Sequence, residues 1–355
     1  MDKQSALAAL RTVMDPELGR DLVSLNMIKD VQVDGSAVRV VVELTTPACP
    51  LKDRIQRDVE AALKKAGAQQ VTIELTARTR AAAPTPGKEV LPHVKNIVAV
   101  GAGKGGVGKS TIAVNLAVSL QRFGAAVGLM DGDIYGPSMP TMLGLRGKLP
   151  EVRGPRIIPH HVHGIHVITI GSLVEDDKPL IWRGPMAHAA FKQLLLDNTD
   201  WPELDYLIVD LPPGTGDVPL TLCQLLPLTG AVVVATPQQV ALDDCIRAVR
   251  MFQQLGAPVL GIVENMSYFV DPAGTKHDIF GHGGAQRAAQ ELSIPYLGDL
   301  PMFTELRVNS DAGNPTANFE SNAQLKQALE RLVQNLAAQV SLRNMQAAQP
   351  ELNIL

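Results

Sequence analysis

The stretch VAVGAGKGGVGKSTIAVNLAVSL, residues 98–120, decides the fold of this 355-residue chain. A short apolar run leads into Gly-x-x-x-x-Gly-Lys-Ser, and apolar residues at helical spacing follow. A glycine-rich loop between a strand and a helix turns its backbone N–H groups toward phosphate oxygens. The stretch therefore predicts a phosphate-binding loop at the edge of a parallel sheet.

The side chains of this loop predict binding of ATP with Mg²⁺. Lys109 is expected to neutralise the terminal phosphates, Ser110 to offer its hydroxyl to Mg²⁺, and Thr111 to contact the α-phosphate. The residues expected to bind the nucleotide are Gly103, Lys104, Gly105, Gly106, Val107, Gly108, Lys109, Ser110 and Thr111.

Apolar runs alternate with helical segments from Asn96 onward, which predicts an α/β fold: a P-loop NTPase domain with a mostly parallel sheet and helices on both faces. The seven runs are IVAVG, AAVGLMD, IHVITIG, DYLIVDL, AVVVATP, APVLGIVENM and IPYLGDLP. A small α+β domain is predicted before it, with helices over 5–13 and 51–66 and strands over 28–33, 37–44 and 71–75. The expected divisions are a first domain at 1–80, a linker at 81–95, the NTPase domain at 96–342 and a flexible tail at 343–355.

Three aspartates follow predicted strands and are expected to surround the phosphates. Asp131 and Asp133 close one run, and Asp210 closes DYLIVD as the expected carboxylate that reaches Mg²⁺ through water. The Pro-Gly-Thr turn at 213–215 is expected to sense the γ-phosphate. Asn265 closes a further strand, where its amide could pair with the adenine edge or could form a turn.

Composition argues against two classes of partner. A net charge of -4 and a pI near 6.1 give no general attraction to nucleic acid or anionic membranes. No apolar run reaches the ~20 residues of a membrane span, and the first residues do not form a signal peptide. The sequence therefore predicts a cytoplasmic protein that binds neither nucleic acid nor membrane.

Several motifs resemble a known family more specifically than the loop does. They are DGDIYGPSMP, LIWRGPM, DLPPGTGD, TPQQVAL, ENMSYF and IFGHGGA. Together they are similar to the Mrp/Nbp-type iron-sulfur cluster carrier ATPases, a branch of the deviant P-loop ATPases that include the Min and Par proteins. DPELGRDLVSLNMIKDV and LTTPACPL resemble the small iron-sulfur-assembly domain that is often fused to such carriers.

The resemblance implies a homodimer that carries a bridging [4Fe-4S] cluster, works with iron-sulfur assembly proteins and delivers the cluster to apoprotein clients. It also implies that Lys104 reaches across the dimer to the partner's nucleotide, and an exposed loop lysine without such a role is the alternative. Asp133 would orient the attacking water, and Asp131 would support the magnesium shell. The expected catalytic residues are thus Lys104, Lys109 and Asp133.

The sequence departs from the family at the expected cluster ligands. The family places a Cys-x-x-Cys pair after the ENMSYF strand, where this chain has Asp271 and Gly274. Iron-sulfur clusters select thiolates, so these two residues cannot replace the pair. His277, Asp278 and His282 offer alternative metal ligands, but polar residues on an exposed hairpin are more often only solvated.

Cys49 is therefore the best remaining candidate for a cluster thiol. It precedes a predicted helix, whose N-terminus lowers a thiol pKa, and the resembled domain has a functional cysteine there. An ordinary buried cysteine is the alternative. Cys223 and Cys245 lie in apolar helical patterns that are typical of a core.

Two other functions compete with cluster delivery. A Min- or Par-like positioning ATPase would need a basic amphipathic C-terminal helix or a basic patch, and the tail offers only Arg343. A scaffold that positions client proteins without carrying metal would need only nucleotide binding and the turn at 213–215 that senses the γ-phosphate.

Overall fold

The computed structural model describes residues 1–16, 18–82, 91–133, 136–172, 192–193, 198–214, 216, 220 and 224–347. The chain divides into two compact units, one formed by Met1–Arg80 with the chain from Ala337 onward and the other by Ala81–Leu336. LIWRGPM, Thr215 and Cys223 lie outside the described residues. No helix in the described ranges combines the length and apolar character that crossing a bilayer requires.

The N-terminal unit has the predicted α+β composition. Its elements are α1 (Lys3–Leu10), β1 (Met14–Asp15), β2 (Arg20–Asp21), β3 (Ile28–Asp34), β4 (Ala37–Leu44), α2 (Lys52–Lys65) and β5 (Gln70–Ala77). β4 lies between β3, its antiparallel neighbour, and β5, its parallel neighbour. Every second residue of β4 is buried, because successive side chains of a strand point to opposite faces and one face of this sheet packs on the core. The helix α2 buries Ile55, Val59 and Leu63 in the same core.

All seven predicted runs form strands of one nine-stranded sheet in the second unit. The first half of this unit contains β6 (Ile97–Gly101), α3 (Lys109–Arg122), β7 (Val127–Asp131), α4 (Met139–Met142), β8 (Glu151–Arg153), β9 (Arg156–Ile158), β10 (His160–Val162) and β11 (Ile165–Thr169). The second half contains β12 (Tyr206–Asp210), β13 (Gly230–Ala235), α5 (Gln239–Gln254), β14 (Val259–Val270), β15 (Lys276–His277), α6 (Gly284–Glu291), β16 (Tyr296–Met302), α7 (Thr304–Asp311) and α8 (Ala323–Ala347).

The strand order is β10-β11-β7-β12-β6-β13-β14-β15, with β16 also pairing with β14. Among the described strands of this sheet, only the edge strands β10 and β15 run antiparallel to their neighbours. The central strands β6, β7 and β12 are buried at every position, as expected of parallel strands that helices cover. The predicted mostly parallel α/β sheet is confirmed.

The structure differs from the predicted boundaries at two places. Val94 and Lys95, placed in the linker, both pair with Leu204 and so belong to the nucleotide-binding unit. Residues 343–347, placed in a flexible tail, complete α8. They are held because Asn344 donates to the carbonyl of Arg80 at 2.9 Å and Met345 packs on the N-terminal core.

Candidate functional site

The phosphate loop lies between β6 and α3, as the sequence predicts. Gly106 and Gly108 both have a φ of 81°, a left-handed conformation in which a side chain would be strained. At Gly103 a Cβ would lie 2.1 Å from the carbonyl oxygen of Asp244 in α5. These glycines let the loop turn its N–H groups inward and pack closely on α5.

Lys109 lies at the centre of the site, 6% exposed. Its Nζ donates to Asp210 Oδ1 at 2.6 Å and to Ser110 Oγ at 3.2 Å, and lies 3.6 Å from Asp133 Oδ2. The structure therefore brings Lys109, Ser110, Asp133 and Asp210 together. These groups are the cation, hydroxyl and carboxylates that a nucleotide with Mg²⁺ needs.

Asp131 is almost completely buried, as is Asp210. It is directly opposite Asp210 in the register of β7 and β12, and burial followed by the charge of Asp210 raises its pKa to about 7. Asp131 Oδ2 accepts from Thr169 Oγ1 at 2.8 Å, and its Oδ1 accepts from the backbone N–H of Asp133 at 3.1 Å. Asp131 therefore positions Asp133.

Asp210 is the second buried carboxylate of the site. It is fully buried, and burial raises its pKa although Lys109 opposes the shift. Its Oδ2 has no hydrogen-bond partner among the described residues. Carboxylate, hydroxyl and water oxygens are the ligands that Mg²⁺ prefers, so Asp210 and Ser110 form a donor set that fits this ion.

The turn after β12 touches the phosphate loop. The N–H of Gly214 donates to the carbonyl of Ala102 at 2.9 Å, and a Cβ at Gly105 would lie 3.9 Å from Pro213. The role of this turn as a γ-phosphate switch stays a prediction, and Thr215 lies outside the described residues.

Asn265 shapes the loop in the structure. Its amide donates to the carbonyl of Val107 at 2.8 Å, and its Nδ2 occupies the space that a Cβ at Gly108 would need. The adenine contact of Asn265 stays a prediction.

Glu264 is a residue that the sequence did not single out. It is fully buried, and its two carboxylate oxygens accept the N–H groups of Gly283 at 3.0 Å and Ala285 at 2.8 Å at the start of α6. A carboxylate is favourable there because helix N-termini have unpaired N–H donors and a partial positive charge. Through these two hydrogen bonds Glu264 connects β14 to the end of the IFGHGG turn, where α6 begins.

Glu264→Gln is expected to lower the free energy of unfolding by about 3 kcal/mol, because an amide NH₂ would face a buried N–H donor. Urea denaturation followed by circular dichroism measures the change. Glu291→Gln, at the exposed end of the same helix, is the matched control and should leave the midpoint unchanged. A midpoint for Glu264→Gln equal to that of the control would contradict this role.

Asp271 holds the hairpin that follows ENMSYF through hydrogen bonds within the hairpin. Asp271 Oδ1 accepts the N–H groups of Ala273 and Thr275, each at 2.9 Å, and its Oδ2 lies 2.8 Å from His277 Nε2. Gly274 has a φ of 85°, which completes a tight turn. In the part of the chain that the structure describes, no three His, Cys, Asp or Glu residues are grouped so that they could hold a metal ion, and His277 instead contacts Asp271.

The two described cysteines lie in different environments. Cys245 is fully buried in α5, and burial raises its thiol pKa to about 12. Cys49 is 9% exposed, in the core of the N-terminal unit three residues before α2. Neither forms a disulfide.

A strand, a glycine-rich loop with Lys109 and Ser110, and acidic ends of neighbouring strands define a P-loop NTPase. The chain belongs to the family described as NUBPL iron-transfer P-loop NTPase, which matches residues 93–337. A second family, described as iron-sulfur cluster assembly protein, matches residues 3–75. The resemblance stated from the motifs is thereby confirmed.

Relatives match almost the whole chain. It is 49% identical over 352 residues to an iron-sulfur cluster carrier protein of Deinococcus radiodurans, covering 98% of this chain and 99% of that protein. It is 47% identical over 345 residues to one of Synechocystis, covering 95% and 98% respectively.

Two solved structures share the fold of the nucleotide-binding unit. A nucleotide-binding protein of Archaeoglobus fulgidus in complex with ADP is 36% identical, with a TM-score of 0.55, covering 63% of this chain and 89% of that chain. The cell division ATPase MinD of Pyrococcus furiosus, 21% identical with a TM-score of 0.52, shares the fold.

Proposed function

We propose that this chain hydrolyses ATP and uses the nucleotide cycle to carry or help assemble iron-sulfur clusters in the cytoplasm. It would act as a homodimer, receive clusters from iron-sulfur assembly proteins and pass them to apoproteins. The observation that carries the proposal is the presence of both matching domains in one chain, with Lys109, Asp133 and Asp210 assembled beside the phosphate loop. The names of the relatives support the same assignment.

In the ATPase cycle, Lys109 and the loop N–H groups bind the phosphates. Ser110 and Asp210 would hold Mg²⁺, which would neutralise charge on the terminal phosphates. Asp133 orients the attacking water, and the N–H of Asp133 bonded to Asp131 fixes its position. Gly214, bonded to Ala102, transmits the presence of the γ-phosphate to the turn at 213–215.

The cluster is cargo, and the hairpin has no thiols to hold it. A [4Fe-4S] cluster needs four ligands, usually thiolates, whereas a homodimer has one Cys49 from each chain. We propose that Cys49 supplies the chain's own ligand and that partner or client thiols complete the set. The second candidate function is a nucleotide-gated scaffold that carries no cluster, which would apply if Cys49 is not a ligand. The absence of cysteine at positions 271 and 274 favours this alternative.

Anaerobic reconstitution with iron, sulfide and a small thiol tests this function. The wild type is expected to retain iron and the visible absorbance of a cluster, and Cys49→Ala to lose both. Cys245→Ala is the matched control and should retain them, because Cys245 is fully buried and burial raises its thiol pKa to about 12, whereas Cys49 is 9% exposed. A wild type without iron would overturn the carrier function and favour the scaffold, and unchanged iron in Cys49→Ala would exclude that ligand.

A further inference from the structure

A cavity of about 590 Å³ lies in the nucleotide-binding unit, where the outer end of β14 meets β16 and α7. Cavities of ~300–1,000 Å³ accommodate small ligands or a few side chains of a bound peptide. None of the residues assigned to the nucleotide lines it. It is therefore a separate candidate binding site.

One wall of the cavity is apolar and aromatic. β14 contributes Tyr268 and Phe269, and the chain at the end of β16 contributes Pro301, Met302 and Phe303. Within the described residues β16 pairs only with β14, so its other edge could in principle accept a strand from a ligand. Pro301 opposes such pairing near the cavity, because proline has no backbone N–H to donate. A ligand at this end of β16 is thus recognised through its side chains rather than by strand addition.

The cavity also has acidic side chains in its lining. Asp271, Asp299 and Glu305 line the cavity, against the single guanidinium of Arg331 among its described lining residues. Asp299 accepts from Ser267 Oγ at 3.2 Å, and Glu305 accepts from Asn322 Nδ2 at 3.1 Å. Asp271 already contacts His277, but the partners of Asp299 and Glu305 are neutral, so the charges of these two carboxylates are available to a cation.

The negative charge of Asp299 raises the pKa of two tyrosine side chains near the cavity. Burial raises the pKa of the Tyr268 phenol, Asp299 raises it further, and Arg331 opposes the shift. Burial and the charges of Glu264 and Asp299 also raise the pKa of the neighbouring Tyr296. A negative potential beside aromatic rings favours a cation that has an apolar stem.

We propose that this cavity binds a segment of a protein partner that presents a lysine or arginine beside an apolar side chain. The stem of the basic residue would lie along Phe269 and Phe303, and its charged head would meet Asp299 and Glu305. A small polyamine would use the carboxylates and leave the apolar wall uncovered. The inference goes beyond cluster carriage and does not require it.

The position of the cavity gives this binding a consequence. Asp271 and Pro272 line the cavity and also form the tip of the hairpin. The hairpin is a preformed support, because Lys276 Nζ lies 4.0 Å from the Tyr268 ring centroid and the Phe269 and His277 rings stack at 6.4 Å. A partner seated here would lie beside Asp271, at the position where the resembled family has the first cysteine of its Cys-x-x-Cys pair.

A displayed library of random nine-residue peptides tests the proposal on the full-length protein. Peptides bound by the wild type are expected to contain an excess of lysine and arginine over aspartate and glutamate, next to apolar residues. The double variant Asp299→Asn, Glu305→Gln should lose this excess and bind the best peptide about tenfold more weakly, because two charge pairs are removed. Fluorescence anisotropy gives the affinities.

The matched control is the double variant Glu291→Gln, Glu320→Gln, which removes two exposed carboxylates of the same unit outside the cavity. It should select and bind the same peptides as the wild type. An unbiased selection by the wild type would overturn the proposal, as would equal peptide binding by both double variants. Displacement of the peptide by an equal concentration of spermidine would show polyamine recognition and would also overturn it.

Discussion

Lys109→Ala is expected to weaken ATP binding at least about a hundredfold, because the charge-assisted bonds from its Nζ to the phosphates cannot be replaced. In the structure the Nζ donates to Asp210 at 2.6 Å and lies 3.6 Å from Asp133, so the substitution removes the one cation that faces these carboxylates among the described residues. Asp133 and Asp210 would then repel the incoming phosphates. Calorimetric titration of the full-length variant with ATP and Mg²⁺ measures the loss.

The chain offers a matched control in Lys95→Ala. Lys95 Nζ pairs with Asp205 Oδ1 at 2.7 Å in the same unit, away from the phosphate loop. Lys95→Ala removes an ion pair comparable to that of Lys109 with Asp210 but changes no residue assigned to the nucleotide. ATP affinity should therefore stay within about twofold of the wild type. If both variants lose affinity equally, the effect is general destabilisation and the role of Lys109 is wrong.

The central sheet could be predicted because its strands are continuous apolar runs between helical segments. Burial on both faces forces that pattern, and the phosphate loop then fixes which run is β6. The order of the strands was not predictable, because any run can lie next to any other. For this reason Thr169 escaped notice: its contact with Asp131 depends on β11 lying beside β7 in a register that places the two residues opposite each other.

The site was predictable where a motif identifies both the functional residue and the strand or loop that places it. Lys109, Ser110 and Asp210 meet as expected because the loop follows β6 and Asp210 ends the adjacent strand. Glu264 was missed because its partners are backbone N–H groups 19 and 21 residues further along the chain. The end of α8 was missed because RNMQA has little apolar pattern, and it is Asn344 and Met345 that hold it.

Lys104 is the residue whose expected effect depends on the proposed dimer. It lies in the phosphate loop, half-buried, and makes no ion pair within the described residues. If it stabilises charge on the partner's ATP, Lys104→Ala should bind ATP normally but hydrolyse it about a thousandfold more slowly, as when a charged finger is removed. Phosphate release under saturating ATP measures the rate, and wild-type turnover in Lys104→Ala would refute the role.

Mixing two inactive variants separates action across the dimer from action within one chain. In a mixed dimer, the Lys104→Ala chain binds ATP and the Lys109→Ala chain contributes an intact Lys104 to it. Random pairing of equal amounts gives one complete site in half of the dimers, so about a quarter of wild-type activity should return. If Lys104 acts on the nucleotide of its own chain, no mixed dimer contains a complete site. The mixture would then remain as inactive as either variant alone.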